Sequence, residues 1–238
     1  MIVQTVTISE IFSSLQGEGP HLGERHIFLR FEACNIHCEY CDELGKPGYG
    51  FDLDSILESL KRLEQERGPH SFVSLTGGEP LLYVSFLKLL LPCMKQAGFR
   101  AYLETNGILY HALEEVLPWV DVIAMDVKPQ SVTKERSFLS EHERFLSIAL
   151  TTDGRGRETF IKMVCSKEIE VDEFKELCIM IQKQNPHVPL ILQPISGEVE
   201  GHDDPNLMRL LNELQMIALG MLRDVRIIPR LHKILNVR

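Results

Sequence analysis

Apolar and polar positions alternate over residues 3–12, Val3-Gln4-Thr5-Val6-Thr7-Ile8-Ser9-Glu10-Ile11-Phe12, with the two-residue period of a strand. A polar loop with two glycines and a proline follows, Ser13 to Pro20, and then the apolar run His26-Ile27-Phe28-Leu29-Arg30-Phe31. Residues 42–51 are glycine-rich and read as irregular. Leu53, Ile56, Leu57, Leu60 and Leu63 fall on one face of a helix, with Asp52 or Asp54 as its cap and Gly68-Pro69 as its stop. From there strands and helices alternate. Strand-like runs lie at 72–76, 101–105, 120–127, 159–165, 190–195 and 225–228, with helical patterns between them at about 82–97, 111–117, 140–150, 171–185 and 206–220. Such alternation specifies a mostly parallel sheet with helical crossovers. Counted from His26 it supplies six strand–helix units and a closing strand, short of a complete eight-unit barrel. The expectation is an α/β fold: an incomplete barrel of about six βα units with an N-terminal strand extension, one domain spanning 1–238.

Composition agrees and narrows the classes. The chain is 44% hydrophobic and 25% charged, the balance of a globular protein with a sizeable core. No apolar run reaches membrane-spanning length, and the N-terminus lacks the basic and apolar regions of a signal peptide, so no membrane role is expected. Six cysteines without an export signal suggest a reducing cytoplasm. A net charge of −9 argues against broad nucleic-acid binding, yet a few arginines can still build a local site for an anionic small substrate.

The candidate chemistry starts at Cys34-Asn35-Ile36-His37-Cys38-Glu39-Tyr40-Cys41, three thiols spaced C-x3-C-x2-C directly after the run ending at Phe31. Iron–sulfur clusters and structural zinc are normally four-coordinate, so three local ligands imply a fourth elsewhere or an open metal position. A zinc loop and redox thiols share this spacing. Cys93, Cys165 and Cys178 sit singly in apolar segments and read as small buried hydrophobes. In parallel α/β folds the site lies at the C-terminal ends of the strands. There the chain carries Thr76-Gly77-Gly78-Glu79-Pro80, Glu104-Thr105-Asn106-Gly107, Asp126 with Lys128, and Gln193. Taken singly these are also good turns; their recurrence at four strand ends points to a ligand site.

The cysteine spacing, with the aromatic Tyr40 just before the last cysteine, resembles the radical S-adenosylmethionine superfamily. That resemblance implies a four-iron, four-sulfur cluster on Cys34, Cys38 and Cys41, whose open iron chelates S-adenosylmethionine. It makes Gly77, Gly78 and Glu79 the motif that meets the methionine amine. Glu104, Asn106 and Gln193 are the implied contacts to the rest of the cofactor, together with Tyr40, Asp42, Asp126 and Lys128.

Two end motifs, Glu10 to Gly19 and Leu231-His232-Lys233-Ile234-Leu235-Asn236, look like those of the 7-carboxy-7-deazaguanine synthases. This family converts 6-carboxy-5,6,7,8-tetrahydropterin to 7-carboxy-7-deazaguanine, on the path to queuosine, by hydrogen abstraction, ring contraction and loss of ammonia. The likeness implies substrate contacts at Leu15, Gln16, Gly17, Glu18, Arg30, Thr76 and His232, and at the Arg238 terminus. It also implies a homodimer, and flavodoxin or ferredoxin as reductant. Considered alone, Arg30 could be a surface cation on a strand, and His232 an element-end histidine of a kind more often structural than catalytic. The chain departs from the family after the last cysteine: Asp42-Glu43 stands where Asp-Thr is usual, which makes Glu43 the candidate magnesium ligand. Arg230 stands where glutamine is common. The rival readings are a glycyl-radical-enzyme activase, which shares the cysteine spacing but acts on a protein, and a non-catalytic zinc or iron–sulfur module.

Overall fold

The computed structural model describes residues 5–41, 45–151, 154, 156–196, 203–235 and 237. In chain order its elements are β1 (Val6–Leu15), β2 (Arg25–Phe31), β3 (Tyr49–Phe51), α1 (Leu53–Arg67), β4 (Phe72–Gly77), α2 (Val84–Gln96), β5 (Ala101–Thr105), α3 (Tyr110–Val116) and β6 (Val122–Val127). There follow α4 (Gln130–Thr133), α5 (Leu139–Ala149), β7 (Glu158–Cys165), α6 (Val171–Gln184), β8 (Leu190–Pro194), α7 (Pro205–Leu219), β9 (Val225–Ile227) and α8 (Leu231–Ile234). One sheet contains all nine strands of the described residues, in the order β3-β1-β2-β4-β5-β6-β7-β8-β9. From β2 to β9 every pairing is parallel, so the sheet carries the six expected strand–helix units and a closing strand. Because β3 and β9 are edges, the barrel is incomplete. No helix among the described residues is long and apolar enough to cross a membrane.

Strand periodicity sorts side chains onto two faces. Ile27, Leu29, Val73, Leu75, Leu103, Ile123, Met125, Ile161, Met163, Leu190 and Leu192 join the large core built with the helices, including Phe86, Leu90, Phe145, Phe174 and Leu211. The alternate positions Phe72, Tyr102, Val122, Ala124, Phe160 and Ile191 form a second cluster made of strand residues alone, on the inner face of the barrel. Helix α1 starts where the sequence offered two caps: Asp52 accepts from Ser55 N at 2.8 Å while Ser55 Oγ receives Asp52 N at 3.1 Å, a closed capping box.

The N-terminal region differs from expectation in ways that shape the site. Strand β1 continues past residue 12, because Ser13, Ser14 and Leu15 still pair with Ile27, His26 and Arg25. Its partner β2 is antiparallel, so β1 ends beside the beginning of β2, away from the cysteine loop. The following loop therefore reaches the site by lying along the inner face. Gly19, at φ +70°, sits so close to the Phe160 ring that an added Cβ would be 2.7 Å from it. The His21 ring lies 5.1 Å from that of Phe72 and 5.5 Å from that of Tyr102. The region read as irregular also holds the edge strand β3, paired with Val6, Thr7 and Ile8.

Candidate active site

The inner-face positions that follow the apolar cluster toward the C-terminal strand ends are polar: Arg30, Thr76, Glu104, Asp126 and Lys162. Arg30 is in register with Thr76, and Asp126 with Lys162. They line a cavity of about 500 Å3, closed by the cysteine loop, by Leu15 to Glu18 and by Arg230, His232, Lys233 and Val237. Every described residue expected at the site lies on this wall except Glu79 and Gln193. Asp42, Glu43 and Arg238 lie outside the described residues.

The cysteine loop is held by its backbone. Cys41 N donates to the Cys38 carbonyl at 3.1 Å, Glu39 N to the Thr133 carbonyl at 3.3 Å, and His37 N to Glu135 Oε1 at 2.6 Å. Ile36 and Cys38 pack with Ile108 and Phe138. The glycine pair serves this anchoring. A Cβ on Gly77 would lie 2.2 Å from the Phe31 carbonyl oxygen, and one on Gly78 2.1 Å from that of Ala33. Without side chains, Gly78 N reaches the Phe31 carbonyl at 2.9 Å and Glu79 N reaches that of Ala33 at 2.8 Å. The β4 end is thereby laced to the root of the loop.

Glu79 is not among the residues that line the cavity. It is fully buried, and its carboxylate accepts from Thr105 Oγ1 (2.9 Å), Leu81 N (3.0 Å) and Asn106 N (2.8 Å). Both oxygens are occupied in joining two strand ends. Gln193 is likewise fully buried and off the cavity wall, and among the described residues neither of its side-chain polar atoms has a hydrogen-bond partner. Its expected contact to a cofactor does not follow from this placement.

The three thiols line the cavity together, and none forms a disulfide. Burial pushes the Cys38 thiol up to about 11 and raises Cys34 as well, only partly offset at Cys38 by nearby Lys128. These are soft ligands on one loop, facing one cavity, which ionise when a metal centre supplies the compensating charge; an iron–sulfur cluster fits that donor set. Asn106 places its amide nitrogen 2.7 Å from Asn35 Oδ1 and 3.9 Å from Cys34 Sγ.

On the opposite wall, Gln16 Nε2 donates to Glu104 Oε1 at 2.9 Å, Thr76 Oγ1 donates to Glu104 Oε2 at 2.6 Å, and Glu18 N donates to Gln16 Oε1 at 3.1 Å. Glu18 itself is bracketed by cations: Lys162 on Oε2 and Arg230, whose Nε is 3.0 Å from Oε1. Burial alone would raise its carboxyl, but Lys162 and Arg230 outweigh burial and hold it well below the usual carboxylate range. Glu104 goes the other way, because there burial outweighs the attraction of Lys162. The pocket thus holds two carboxyls with opposite proton affinities. Arg30 has Nε 3.5 Å from Glu10 Oε2, and its guanidinium lies 5.4 Å from the Phe12 ring.

Lys162, Glu10, Lys46, Lys233 and Arg230 are cavity residues that the motifs did not assign to the site. The only mark of Lys162 in the sequence is a lysine interrupting the apolar run Phe160-Ile161-Lys162-Met163-Val164, on a strand of a parallel sheet where both faces are covered.

The sequence matches the Radical SAM superfamily over residues 29–185. It is 35% identical to the 7-carboxy-7-deazaguanine synthase of Geobacter sulfurreducens, covering 96% of both chains. It is 32% identical to that of Methanothermobacter thermautotrophicus over the full length of both. The fold is similar to that of QueE from Escherichia coli, with a TM-score of 0.64 at 20% identity, covering 96% of this chain and 95% of that one. The chain therefore belongs to the radical SAM superfamily and, within it, to the 7-carboxy-7-deazaguanine synthase family.

Proposed function

We propose that this protein converts 6-carboxy-5,6,7,8-tetrahydropterin to 7-carboxy-7-deazaguanine with loss of ammonia. One observation carries the reading: the three-thiol loop and the Gln16-Gly17-Glu18 loop, from opposite sides of an incomplete barrel, open onto one cavity. Superfamily membership implies a four-iron, four-sulfur cluster and S-adenosylmethionine. Cys34, Cys38 and Cys41 would hold the cluster, with Tyr40, Gly77, Gly78, Glu104, Asn106, Asp126 and Lys128 on the wall toward the cofactor. When bound, the pair supplies the radical that removes hydrogen from the substrate.

The protein's own part is to bind, orient and exclude water. Arg30 pairs with the substrate carboxylate, for which a planar guanidinium offers two parallel donors. Glu18, kept ionised, accepts from the N–H groups of the heterocycle. His232 and Leu15 close the pocket over them. Glu43 ligates magnesium in place of the family's threonine, a reading that rests on the hard carboxylate at that sequence position. The chain works as one catalytic domain, as a homodimer in the cytoplasm, reduced by flavodoxin or ferredoxin. Anaerobic incubation of the reduced, reconstituted protein with both substrates, followed by mass spectrometry, tests the assignment. The deazaguanine product is expected; slow release of 5′-deoxyadenosine without it would leave the superfamily assignment and remove this substrate.

A further inference from the structure

Five charged side chains run across the cavity in alternating sign. Arg230 meets Glu18, Glu18 meets Lys162, and Lys162 Nζ is 3.3 Å from Asp126 Oδ2. Asp126 Oδ2 is in turn 2.9 Å from Lys128 Nζ, which donates to the Tyr40 hydroxyl at 3.3 Å. The chain joins the C-terminal segment to the cysteine loop, and Lys162 is its centre. Its side chain is 13% exposed, so its ammonium persists there because carboxylates compensate it, Glu18 and Asp126 in contact and Glu104 nearby.

We propose that Lys162 is a positioning residue of the substrate site, acting through Glu18 and touching neither the cluster nor the reacting carbon. The two acids it holds are not equivalent. Asp126 is fixed by the backbone of β6, near that strand's C-terminal end and in register with Lys162 of β7, and keeps Lys128 if the ammonium is lost. Glu18 sits on the loop between β1 and β2, where its main-chain N–H donates to the side chain of Gln16 and lies in no strand ladder. A strand fixes a carboxylate by its backbone; a loop carboxylate needs a partner on a rigid element. Lys162 supplies that partner from β7, while Arg230, the residue that stands where the family commonly has glutamine, takes the other oxygen. A carboxylate has about four lone-pair sites, so one cation on each oxygen leaves acceptors for a donor edge such as the adjacent N–H and amino groups of a pterin.

This inference rests on the pterin reading above, and its test separates the two. Reconstituted wild type, Lys162→Met, Lys162→Arg, Glu18→Gln and the Lys162→Met/Glu18→Gln double variant are titrated with 6-carboxypterin by fluorescence and with S-adenosylmethionine by equilibrium dialysis, with iron counted in each. Lys162→Met should weaken pterin binding roughly tenfold or more, the scale of a lost charged hydrogen bond. S-adenosylmethionine affinity and iron should stay near wild type, Lys162→Arg should recover most of the pterin affinity, and the double variant should bind no more weakly than Glu18→Gln. Unchanged pterin affinity in Lys162→Met, additive penalties in the double variant, or joint loss of iron, cofactor and pterin binding each overturn the proposal. Failure of wild type to bind the pterin overturns the functional reading, and this one with it.

Discussion

The imidazole of His232 rests on the α-carbon of Gly17: a Cβ added there would lie 2.1 Å from Nδ1. Leu231 N donates to the Gly17 carbonyl at 2.9 Å, so the last helix of the chain is docked on the loop that follows the first strand. The glycine is required by this close approach, since any larger residue must displace the His232 ring from its place at the cavity rim. Gly17→Ala should therefore lower kcat/KM for the pterin by roughly tenfold or more, a displacement of about 1 Å being enough. Cluster content should be unchanged. Gly50→Ala serves as control, because a Cβ at that edge-strand position meets nothing within 4 Å. Equal activity of the two variants would remove the docking argument.

The thiols divide into two sets by surroundings. Cys34, Cys38 and Cys41 face the cavity, whereas Cys165 and Cys178 are buried in the helix-facing core, where burial raises both thiols. Replacing any of the first three with Ala should abolish the four-iron absorption and most bound iron in anaerobically reconstituted protein. Replacing Cys93, Cys165 or Cys178 should leave iron per chain at the wild-type value. Full retention of the cluster in any variant of the first set would falsify the ligand assignment.

The parts of this site that could be read from the sequence are those built from contiguous residues. The cysteine loop, the Thr76–Pro80 and Glu104–Gly107 strand ends and the alternation of strands with helices are local patterns: residue type and spacing mark the first three, and hydrophobic period sets the last. Partners distant in the chain were not legible. Lys162 and Glu18 are 144 residues apart, and nothing near either one marks the pair. Glu79 is a second case: nothing beside it in the chain shows that its carboxylate accepts from Thr105 and Asn106, 26 and 27 residues further on. Strand direction was hidden too. An alternating strand reads the same in either sense, so the antiparallel β1, and with it the inward course of Gln16 to Glu24, emerged only from pairing.

Glu79 also gives stability a pH dependence of defined sign. Burial raises its carboxyl from 4.5 to about 7 despite three accepted hydrogen bonds. A carboxyl raised in the fold binds its proton more tightly there than in the unfolded chain. Its stabilising contribution is thus complete below pH 4.5 and is lost as the pH climbs to about 7. Over that window the loss is on the order of 3 kcal/mol. Urea unfolding of wild type and Glu79→Gln, followed by circular dichroism, isolates it: the wild-type advantage should shrink by that order between the two ends of the window. A difference that stays constant with pH would show that Glu79 does not titrate there.

Arg30 is the cation on β2 best placed for the substrate carboxylate, and removing it should be costly for two separable reasons. The first is the lost pair: a desolvated charged hydrogen bond of this kind is worth roughly 2–5 kcal/mol, on the order of a hundredfold or more in capture. The second is what remains. Glu10, whose carboxylate is 3.5 Å from the Arg30 side chain, also lines the cavity and would face an anionic ligand with its nearest guanidinium gone. Arg30→Ala should accordingly depress kcat/KM for the pterin severely while iron content and S-adenosylmethionine binding hold, since the backbone oxygen that accepts from Ser9 Oγ is untouched. Adding Glu10→Gln should recover the repulsive part and no more. If Arg30→Ala turns the pterin over normally, the carboxylate is gripped elsewhere; if the double variant regains full activity, Arg30 serves only to neutralise Glu10.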